Sequence, residues 1–503
     1  MKAHLLYQDR DFDFEGSLPP NQADLVQDLE LRILLEAMAQ GDEFLLDVAT
    51  KVLLNGSDQP QVIRYRQHIL QDGIAHPEII RELYGIAVAA LDDKRKLWGY
   101  HSPFPTAVLT GAVSQLEASF ARLKQLRKVA DDHGNVFHSE GLRQLFDALQ
   151  QELDDAYRES VARHLQNLRL RNGPTISMEL DRDNTGINFV LRTERHPQAG
   201  WKERLGIGPR SVYSFSVPPN DEGGHRTLSD LVHRGINLVA NAAAQSADHI
   251  LSFFSRLREE LGFYIGGLNL WDQITDTKSW MRFPEPEPSD PLQFTTQELC
   301  DACLILTKGQ SVVGNSVDGD GKSLIVITGA NSGGKSTFLR SVGVAQLMMQ
   351  SGLFVTAKSF RASVSCTLFT HFSREEDASM TTGRLDEELK RMSTIADQIR
   401  TPSLVLFNES FSSTNEREGS EIGHQVIKSL LDANVKVMVV THQFDLADGF
   451  FQEGRDAHLF LRAARGADGQ RRYRLGVGQP LPTSFGEDLY YRVGRWMNEQ
   501  TGE

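Results

Sequence analysis

The sequence predicts a multidomain protein with an α-helical first half, a small β insertion in that half, and an α/β second half. The chain has 503 residues, well past the size at which one hydrophobic core keeps growing. Apolar residues recur at helical spacing through most of the first half, and near residue 174 the period changes to the alternation typical of strands. In the second half, nearly continuous apolar runs alternate with helical segments, as in parallel sheets covered on both faces.

The first half begins with residues 1–25, which are polar and punctuated by two prolines. We interpret them as an N-terminal tail or as a small element packed on the body. Residues 26–283 form the predicted helical domain, whose pattern starts at i, i+3, i+4, i+7 spacing with Leu31, Leu34, Leu35 and Met38. Its last helix runs from Leu228 to about Tyr264, with Gly235 as a candidate break.

The β insertion occupies about residues 174–219, with predicted strands at Thr175–Leu180, Gly186–Arg192 and Ser211–Val217. The connection before the third strand is basic, despite Glu194 and Glu203. Its basic residues are Arg192, Arg195, His196, Lys202, Arg204 and Arg210. Two interpretations stay open for this connection: a tip that faces nucleic acid, or a solvated surface loop.

Residues 284–292 carry a proline at every second or third position and predict a stiff, extended boundary between the domains. Residues 293–495 form the predicted α/β domain. Its strands are expected at Leu324–Thr328, Ser403–Phe407 and Val435–Val440, and its helices at Gly334–Met349 and Glu418–Leu431.

A glycine-rich loop follows the first of these strands and fits G-x-x-x-x-G-K-[ST] with Gly329, Gly334, Lys335 and Ser336. Glycines allow backbone N–H groups to wrap a polyphosphate, and the next helix points its positive end at it. Lys335 is expected along the β- and γ-phosphates, and the Ser336 hydroxyl as a Mg²⁺ ligand. The residues predicted to bind the nucleotide are Gly329, Asn331, Ser332, Gly333, Gly334, Lys335, Ser336 and Thr337.

The next two strands end in polar residues. Asn408 and Glu409 end the second strand, where Glu409 is the candidate that orients and deprotonates an attacking water. Asn408 stands where a Mg²⁺-binding carboxylate is expected; its carbonyl oxygen contributes no charge, so weaker metal binding or slower turnover follows. His442 follows the third strand and is predicted to sense the γ-phosphate. Residues 411–417 form a polar turn suited to contacts across a subunit interface.

Composition limits the other functions. The formal net charge of −14 argues against bulk adhesion to DNA or to an anionic membrane, although a local basic groove remains compatible with it. No apolar run approaches the roughly 20 residues of a membrane span, the N-terminus lacks a signal-peptide core, and the 3 cysteines suit a reducing compartment. We therefore expect a cytoplasmic protein without membrane association.

Taken together, these motifs resemble the ATPase domain of the MutS family of DNA mismatch-repair proteins, a branch of the ABC-type ATPases. The resemblance rests on Ile327–Thr337, Asn408-Glu409, Ser412–Asn415 and Thr441-His442, with Gly314-Asn315 and Ile63–Leu70 as weaker matches. It is strong over Ser323–Asp445 and looser over Asp24–Leu292. The resemblance implies that residues 26–283 correspond to the family's core and lever helices and residues 293–495 to its ABC-type ATPase domain.

The resemblance further implies ATP and Mg²⁺ as ligands, a homodimer with ATP between the ATPase domains, and coupling of nucleotide state to DNA binding in repair or recombination. Mismatch-reading, connector and Smr domains are not expected in this chain. The family's serine that reaches the partner's nucleotide is replaced by Leu385, which leaves Thr381, Thr382 and Ser413 as candidates for that contact. Two alternatives stay open: an ATP-dependent switch or scaffold for a protein partner, and a nucleotide-binding switch with negligible turnover.

Overall fold

The computed structural model describes residues 2–97, 104–171, 173–183, 185–192, 215–374, 383–465 and 471–482. The chain divides into two compact units. The helical unit consists mainly of residues 78–137 and 142–259, and the α/β unit of residues 4–77, 138–141 and the chain from Glu260 onward.

The first half of the chain is helical, as its apolar spacing predicts. Helices α1–α8 span Gln22–Asp28, Leu31–Ala39, Glu43–Leu54, Pro60–Ala75, Pro77–Leu97, Pro105–His133, Glu140–Glu152 and Asp155–Leu168. Strands β1 (Thr175–Leu180) and β2 (Gly186–Arg192) then pair as an antiparallel hairpin with the predicted bounds. Of the third expected strand, residues 215–217 are not in a strand and residues 211–214 lie outside the described part of the chain.

Helix α9 spans Glu222–Asp276 without interruption, so the break expected at Gly235 is absent. Gly235 has a different role. A Cβ atom there would clash with the side chain of Ile176 on β1, so glycine allows the hairpin to approach the helix closely. Apolar residues of α6, α8 and α9 form the core beneath this hairpin, among them Leu116, Leu165 and Ile236.

The second half has more strands than the sequence predicted. Strands β3–β12 span Glu285–Glu287, Phe294–Leu299, Asn315–Asp318, Leu324–Gly329, Ser359–Ser363, Thr367–Phe372, Ser403–Asn408, Lys436–Val440, His458–Arg465 and Arg471–Val477. Helices α10–α14 span Ala302–Lys308, Lys335–Ser351, Arg384–Gln398, Glu416–Asp432 and Phe444–Gln452.

The main sheet of the α/β unit has six strands in the order β12-β11-β6-β10-β9-β8. Neighbouring strands are parallel except for β12, which runs antiparallel to β11. The three predicted strands are β6, β10 and β9, which lie side by side in the middle of this sheet. Consequently their carboxyl ends meet at one edge.

A second sheet has four strands in the order β3-β7-β4-β5. Strand β3 comes from the proline-rich segment at residues 284–292 and pairs in parallel with β7. That segment therefore lies inside the α/β unit, and the division between the units does not fall there. Alternating prolines permit this arrangement because an edge strand can leave the missing N–H groups on its unpaired side.

The N-terminal residues are packed into the α/β unit, so of the two interpretations the packed element describes them better than a tail. Leu5, Leu6 and Phe12 are buried. The backbone amides of Leu5 and Phe12 donate to the fully buried carboxyl of Glu260 on α9, at 2.5 and 3.2 Å. Arg66 on α4 is also fully buried and donates through Nε to the carbonyl of Leu6 at 2.9 Å.

Replacing Glu260 with alanine is expected to lower the free energy of unfolding by about 2–4 kcal/mol, because two buried amides lose their acceptor. Chemical denaturation measures this loss, and hydrogen exchange of residues 4–14 should rise in parallel. The neighbouring Glu259→Ala is the control, since the Glu259 carboxylate is partly exposed, where it pairs with Arg256 and accepts from the Ser255 hydroxyl. Equal losses in the two variants would contradict the assigned role of Glu260.

The loss of unfolding free energy in Glu260→Ala, which we call its deficit, should also depend on pH. Burial raises the pKa of Glu260 from 4.5 to about 7. The folded protein therefore holds a proton that the unfolded chain releases between these values, and the stability due to this group falls as the pH rises through that window. We expect a larger deficit at pH 5 than at pH 8.

None of the helices within the described ranges is long and apolar enough to cross a membrane.

Candidate active site

The glycine-rich loop connects β6 to α11, as the motif predicts. Gly329 and Gly334 have left-handed backbone angles, with φ of 104° and 90°. A Cβ atom at Gly333 would lie 2.8 Å from the carbonyl oxygen of Ala330. The loop therefore requires glycine for its turn and its close packing, and it ends at the amino-terminal end of a helix of 17 residues.

Lys335 is the first residue of α11, and only 5% of its surface is exposed. Its Nζ donates to the carbonyl oxygens of Gly329 and Ala330, at 2.9 and 3.3 Å. Burial lowers the pKa of Lys335, while the nearby carboxylate of Glu409 opposes that shift. The ammonium group is thus held across the mouth of the loop.

Ser336 and Asn408 meet although 72 residues separate them in the sequence. The Ser336 hydroxyl donates to Oδ1 of Asn408 at 2.8 Å. The two oxygen atoms suit a hard cation such as Mg²⁺, which prefers oxygen ligands and keeps several of its waters. In the part of the chain that the structure describes, no group of three or more His, Cys, Asp or Glu residues offers another metal site.

Glu409 and His442 form a close pair. Oε2 of Glu409 lies 2.6 Å from Nδ1 of His442 and also accepts from the backbone N–H of His442 at 3.0 Å. The hydrogen bond from Glu409 raises the pKa of His442. Both side chains follow adjacent strands, β9 and β10, which explains why they meet.

The remaining predicted residues differ in what the structure says of them. Asn331 and Ser332 are exposed in the loop, and Thr337 lines a cavity beside it. The Ser413 hydroxyl donates to Oε2 of Glu388 at 3.2 Å within the same chain. Thr381 and Thr382 lie outside the described residues.

A cavity of about 770 Å³ adjoins the loop. Ser332, Gly334 and Thr337 line one part of it, and Val312 and Tyr473 line another. It is large enough for a small organic ligand such as a nucleoside, because ligand pockets range from about 300 to 1,000 Å³.

Two residues near the site escaped the sequence analysis. Arg471 on β12 lies close enough to Lys335 to lower the pKa of Lys335. No sequence pattern indicated Arg471, because β12 is an exposed edge strand. Glu388 is a buried acidic residue on α12. The sequence did contain an indication of Glu388. It shares i, i+4, i+7 spacing with the buried Met392 and Ile395, so it lies on the apolar face of the helix, where an acidic residue is unusual.

Comparison with known proteins finds two family models in this chain. The MutS2 N-terminal domain matches residues 58–277, and MutS domain V matches residues 325–469. The second match contains the glycine-rich loop, Asn408, Glu409 and His442.

Individual relatives agree with these matches. The chain is 26% identical over 317 residues to the DNA mismatch repair protein MutS of Leptospira interrogans, covering 58% of this chain and 36% of that protein. It is 30% identical over 287 residues to MutS protein homolog 4 of Mus musculus, covering 55% of this chain and 29% of that protein. It is 32% identical over 133 residues to the endonuclease MutS2 of Thermus thermophilus, covering 26% and 18%.

The matched region thus spans about a third or less of the length of these relatives. Both halves of the chain nevertheless match models that are named for MutS or MutS2, and the second match contains the motif residues. The chain belongs to the MutS family.

Proposed function

We propose that this chain binds ATP with Mg²⁺ at the loop between β6 and α11 and hydrolyses it to ADP and phosphate. One observation carries the proposal. The carboxyl ends of β6, β9 and β10 bring together Lys335, the Ser336–Asn408 oxygen pair and the Glu409–His442 pair. These are the parts that phosphoryl transfer requires: a cationic phosphate cradle, metal ligands and a residue that orients water.

Each side chain has a role in the proposed reaction. The loop amides and Lys335 bind the β- and γ-phosphates, and Lys335 exchanges the carbonyls of Gly329 and Ala330 for phosphate oxygens. Ser336 and Asn408 would hold Mg²⁺, which neutralises phosphate charge when bound. Glu409 orients and deprotonates water, and His442 fixes its carboxylate beside the γ-phosphate position.

We further propose that two copies assemble through their ATPase domains around ATP. Ser413, Thr381 and Thr382 are the candidates to contact the partner's nucleotide. Ser413 would have to exchange its acceptor, because its hydroxyl donates to Glu388 within one chain. ATP and ADP states can then differ in dimer contacts, which is the condition for nucleotide to shift a conformational equilibrium.

DNA is the proposed target of that coupling, in repair or recombination. The relatives named DNA mismatch repair protein MutS support this proposal, together with the match of the helical region to the MutS2 N-terminal domain. Because the net charge of the chain is −14, any contact with DNA must be made by a local basic surface. In the β insertion, the basic residues 195–210 lie outside the described residues, whereas Arg192 donates to Ser177 across the hairpin.

A titration tests the DNA proposal. Branched, duplex and single-stranded DNA are titrated with the protein by fluorescence anisotropy, with and without a slowly hydrolysed ATP analogue, at several salt concentrations. We expect affinity to fall steeply with salt. The logarithm of the binding constant should fall linearly with the logarithm of the salt concentration, with a slope of about −0.9 for each phosphate neutralised on a duplex. We also expect ATP to change the affinity for at least one structure.

The second candidate function is an ATP-dependent switch or scaffold for a protein partner, with slow or no hydrolysis. The neutral Asn408 beside Ser336 favours it, because the metal ligands of this chain supply no negative charge there. Salt-independent binding to all three DNAs would contradict the first proposal and favour this one.

A further inference from the structure

The loop that carries Glu409 has a strained backbone. We call residues 409–413 the base loop. Glu409 and Phe411 both have left-handed angles, with φ of 53° and 59°. A non-glycine residue with such angles is strained and persists only where surrounding contacts impose the conformation. The position of the Glu409 carboxylate therefore depends on whatever holds this loop.

One set of contacts comes from the loop itself and from the end of β10. The amide of Glu409 donates to the carbonyl of Val440 at 2.9 Å, and the Ser412 hydroxyl donates to the carbonyl of Glu409 at 2.7 Å. Nε2 of Gln443 donates to the carbonyl of Phe411 at 3.1 Å. These contacts anchor the loop on the side of β10.

A second set comes from α12 and centres on Glu388. Its carboxylate accepts from the Ser413 hydroxyl at 3.2 Å, and the backbone amide of Phe411 lies close enough to oppose the rise of its pKa. Its own carbonyl oxygen lies 2.9 Å from Nε2 of His371, whose Nδ1 lies 2.8 Å from the Ser410 hydroxyl oxygen. Glu388 thus reaches the base loop through its side chain and, by way of His371, through its backbone.

The hydrogen bond between the Glu388 carbonyl and His371 determines which ring nitrogen of His371 carries the proton. A carbonyl oxygen only accepts, so the proton must be on Nε2. Burial lowers the pKa of His371 to about 4, so the imidazole is neutral at pH 7. The single proton of the Ser410 hydroxyl is then donated either to Nδ1 or to the backbone carbonyl of His371, which lies 2.5 Å from it. In either arrangement, His371 joins the backbone carbonyl of Glu388 on α12 to Ser410 in the base loop.

Burying the carboxyl group of Glu388 on this helix face lowers the stability of the fold. Only 5% of its surface is exposed, and burial raises the pKa of its carboxyl group. The neighbouring positions on the same face are Met392 and Ile395, which are buried in a hydrophobic cluster together with Phe407 and Phe411. An apolar side chain would satisfy the packing, and a buried acid that lowers stability is typical of a functional position.

We propose that Glu388 is a positioning residue for Glu409, holding the base loop so that the Glu409 carboxylate stays beside His442 and the Ser336–Asn408 pair. The inference rests on the proposed ATPase function and deepens it.

The experiment uses the full chain and compares wild type with Glu388→Ala, Glu388→Gln and Ile395→Ala. Single-turnover hydrolysis, ATP affinity and hydrogen exchange of residues 409–413 are measured for each protein. Glu388→Ala is expected to slow hydrolysis by about 10–100-fold with ATP affinity changed less than about threefold, because misplacing a reacting group slows chemistry without weakening phosphate binding. Glu388→Gln keeps an acceptor oxygen and should recover most of the rate.

Ile395→Ala separates positioning from general instability. It removes buried side-chain atoms from the same helix and so lowers stability, but the Ile395 side chain makes no hydrogen bond to the loop. We expect its hydrolysis rate and base-loop exchange to match wild type. A Glu388→Ala protein with wild-type rate and exchange, or an Ile395→Ala protein with the same defects, would overturn the proposal.

The exchange measurement keeps the two proposals distinguishable. If wild type does not hydrolyse ATP, the proposed function fails, whereas faster exchange of the base loop in Glu388→Ala alone still supports the positioning role. If wild type hydrolyses ATP and Glu388→Ala behaves identically, the positioning role fails and the proposed function stands.

Discussion

Glu409→Gln is expected to lower single-turnover ATP hydrolysis by about 10²–10⁴-fold while leaving ATP affinity within about threefold of wild type. The amide keeps the size of the side chain and an oxygen that can accept from the His442 backbone N–H, an interaction now 3.0 Å long. It cannot take a proton from water at neutral pH. Rapid-quench measurement with protein in excess over ATP isolates this chemical step from product release.

Glu416→Gln is the matched control. Glu416 is exposed near His442, and its Oε1 accepts from the backbone amide of Phe444 at 3.1 Å. Because it has no proposed role in proton transfer, the rate should stay within about threefold of wild type. Hydrolysis by Glu409→Gln at the wild-type rate would remove Glu409 from the mechanism.

The same measurement decides whether the site turns over at all. Hydrolysis by wild type that disappears in Glu409→Gln, with binding retained, excludes the nucleotide-binding switch without turnover. An inactive wild type that still binds ATP would instead support that alternative, and the uncharged Asn408 would then be the first residue to investigate.

Lys335→Ala is expected to weaken ATP binding by roughly 30–1,000-fold and to abolish ATP-dependent dimerisation. The Nζ is held by loop carbonyls at 2.9 and 3.3 Å, so it is already placed where phosphate oxygens are expected. Removing one charge-assisted contact to phosphate in a water-poor site costs about 2–4 kcal/mol, which corresponds to roughly 30–1,000-fold in affinity. Binding is measured with a fluorescent ATP analogue and dimerisation by sedimentation velocity.

Lys322→Ala provides a control for that variant. Lys322 precedes β6, whereas the loop follows it, and Lys322 donates to the carbonyl of Asp456. Its replacement should leave nucleotide binding and dimerisation unchanged. If Lys335→Ala retained both properties, the assignment of the loop as the ATP site would be wrong.

Much of the candidate site could be predicted from the sequence because its geometry is short-range or follows from strand order. The loop from Gly329 to Ser336 encodes its own turn, since its glycines, lysine and hydroxyl are contiguous. Glu409 and His442 could be placed together because each follows a buried apolar run, and parallel strands end at a common edge. The hairpin of β1 and β2 was predictable for a similar reason, as its two strands are neighbours in the chain.

Other features depended on which helices and strands pack against each other in the folded chain. The spacing of apolar residues in the sequence does not contain that information. Residues 4–77 belong to the α/β unit although their periodicity is that of the helical half. The proline-rich segment supplies an edge strand, and Gly235 permits a close approach to Ile176 where its composition had suggested a break.

By itself, the sequence determined the glycine-rich loop, the strands that flank it and the residues at their ends, because these depend on local backbone chemistry and on alternation along the chain. Only the tertiary structure decided where the two units divide and what supports Glu409. The contact between Glu388 and Ser413 joins residues 25 positions apart on different elements, and such a contact exists only once the helix has packed against the sheet.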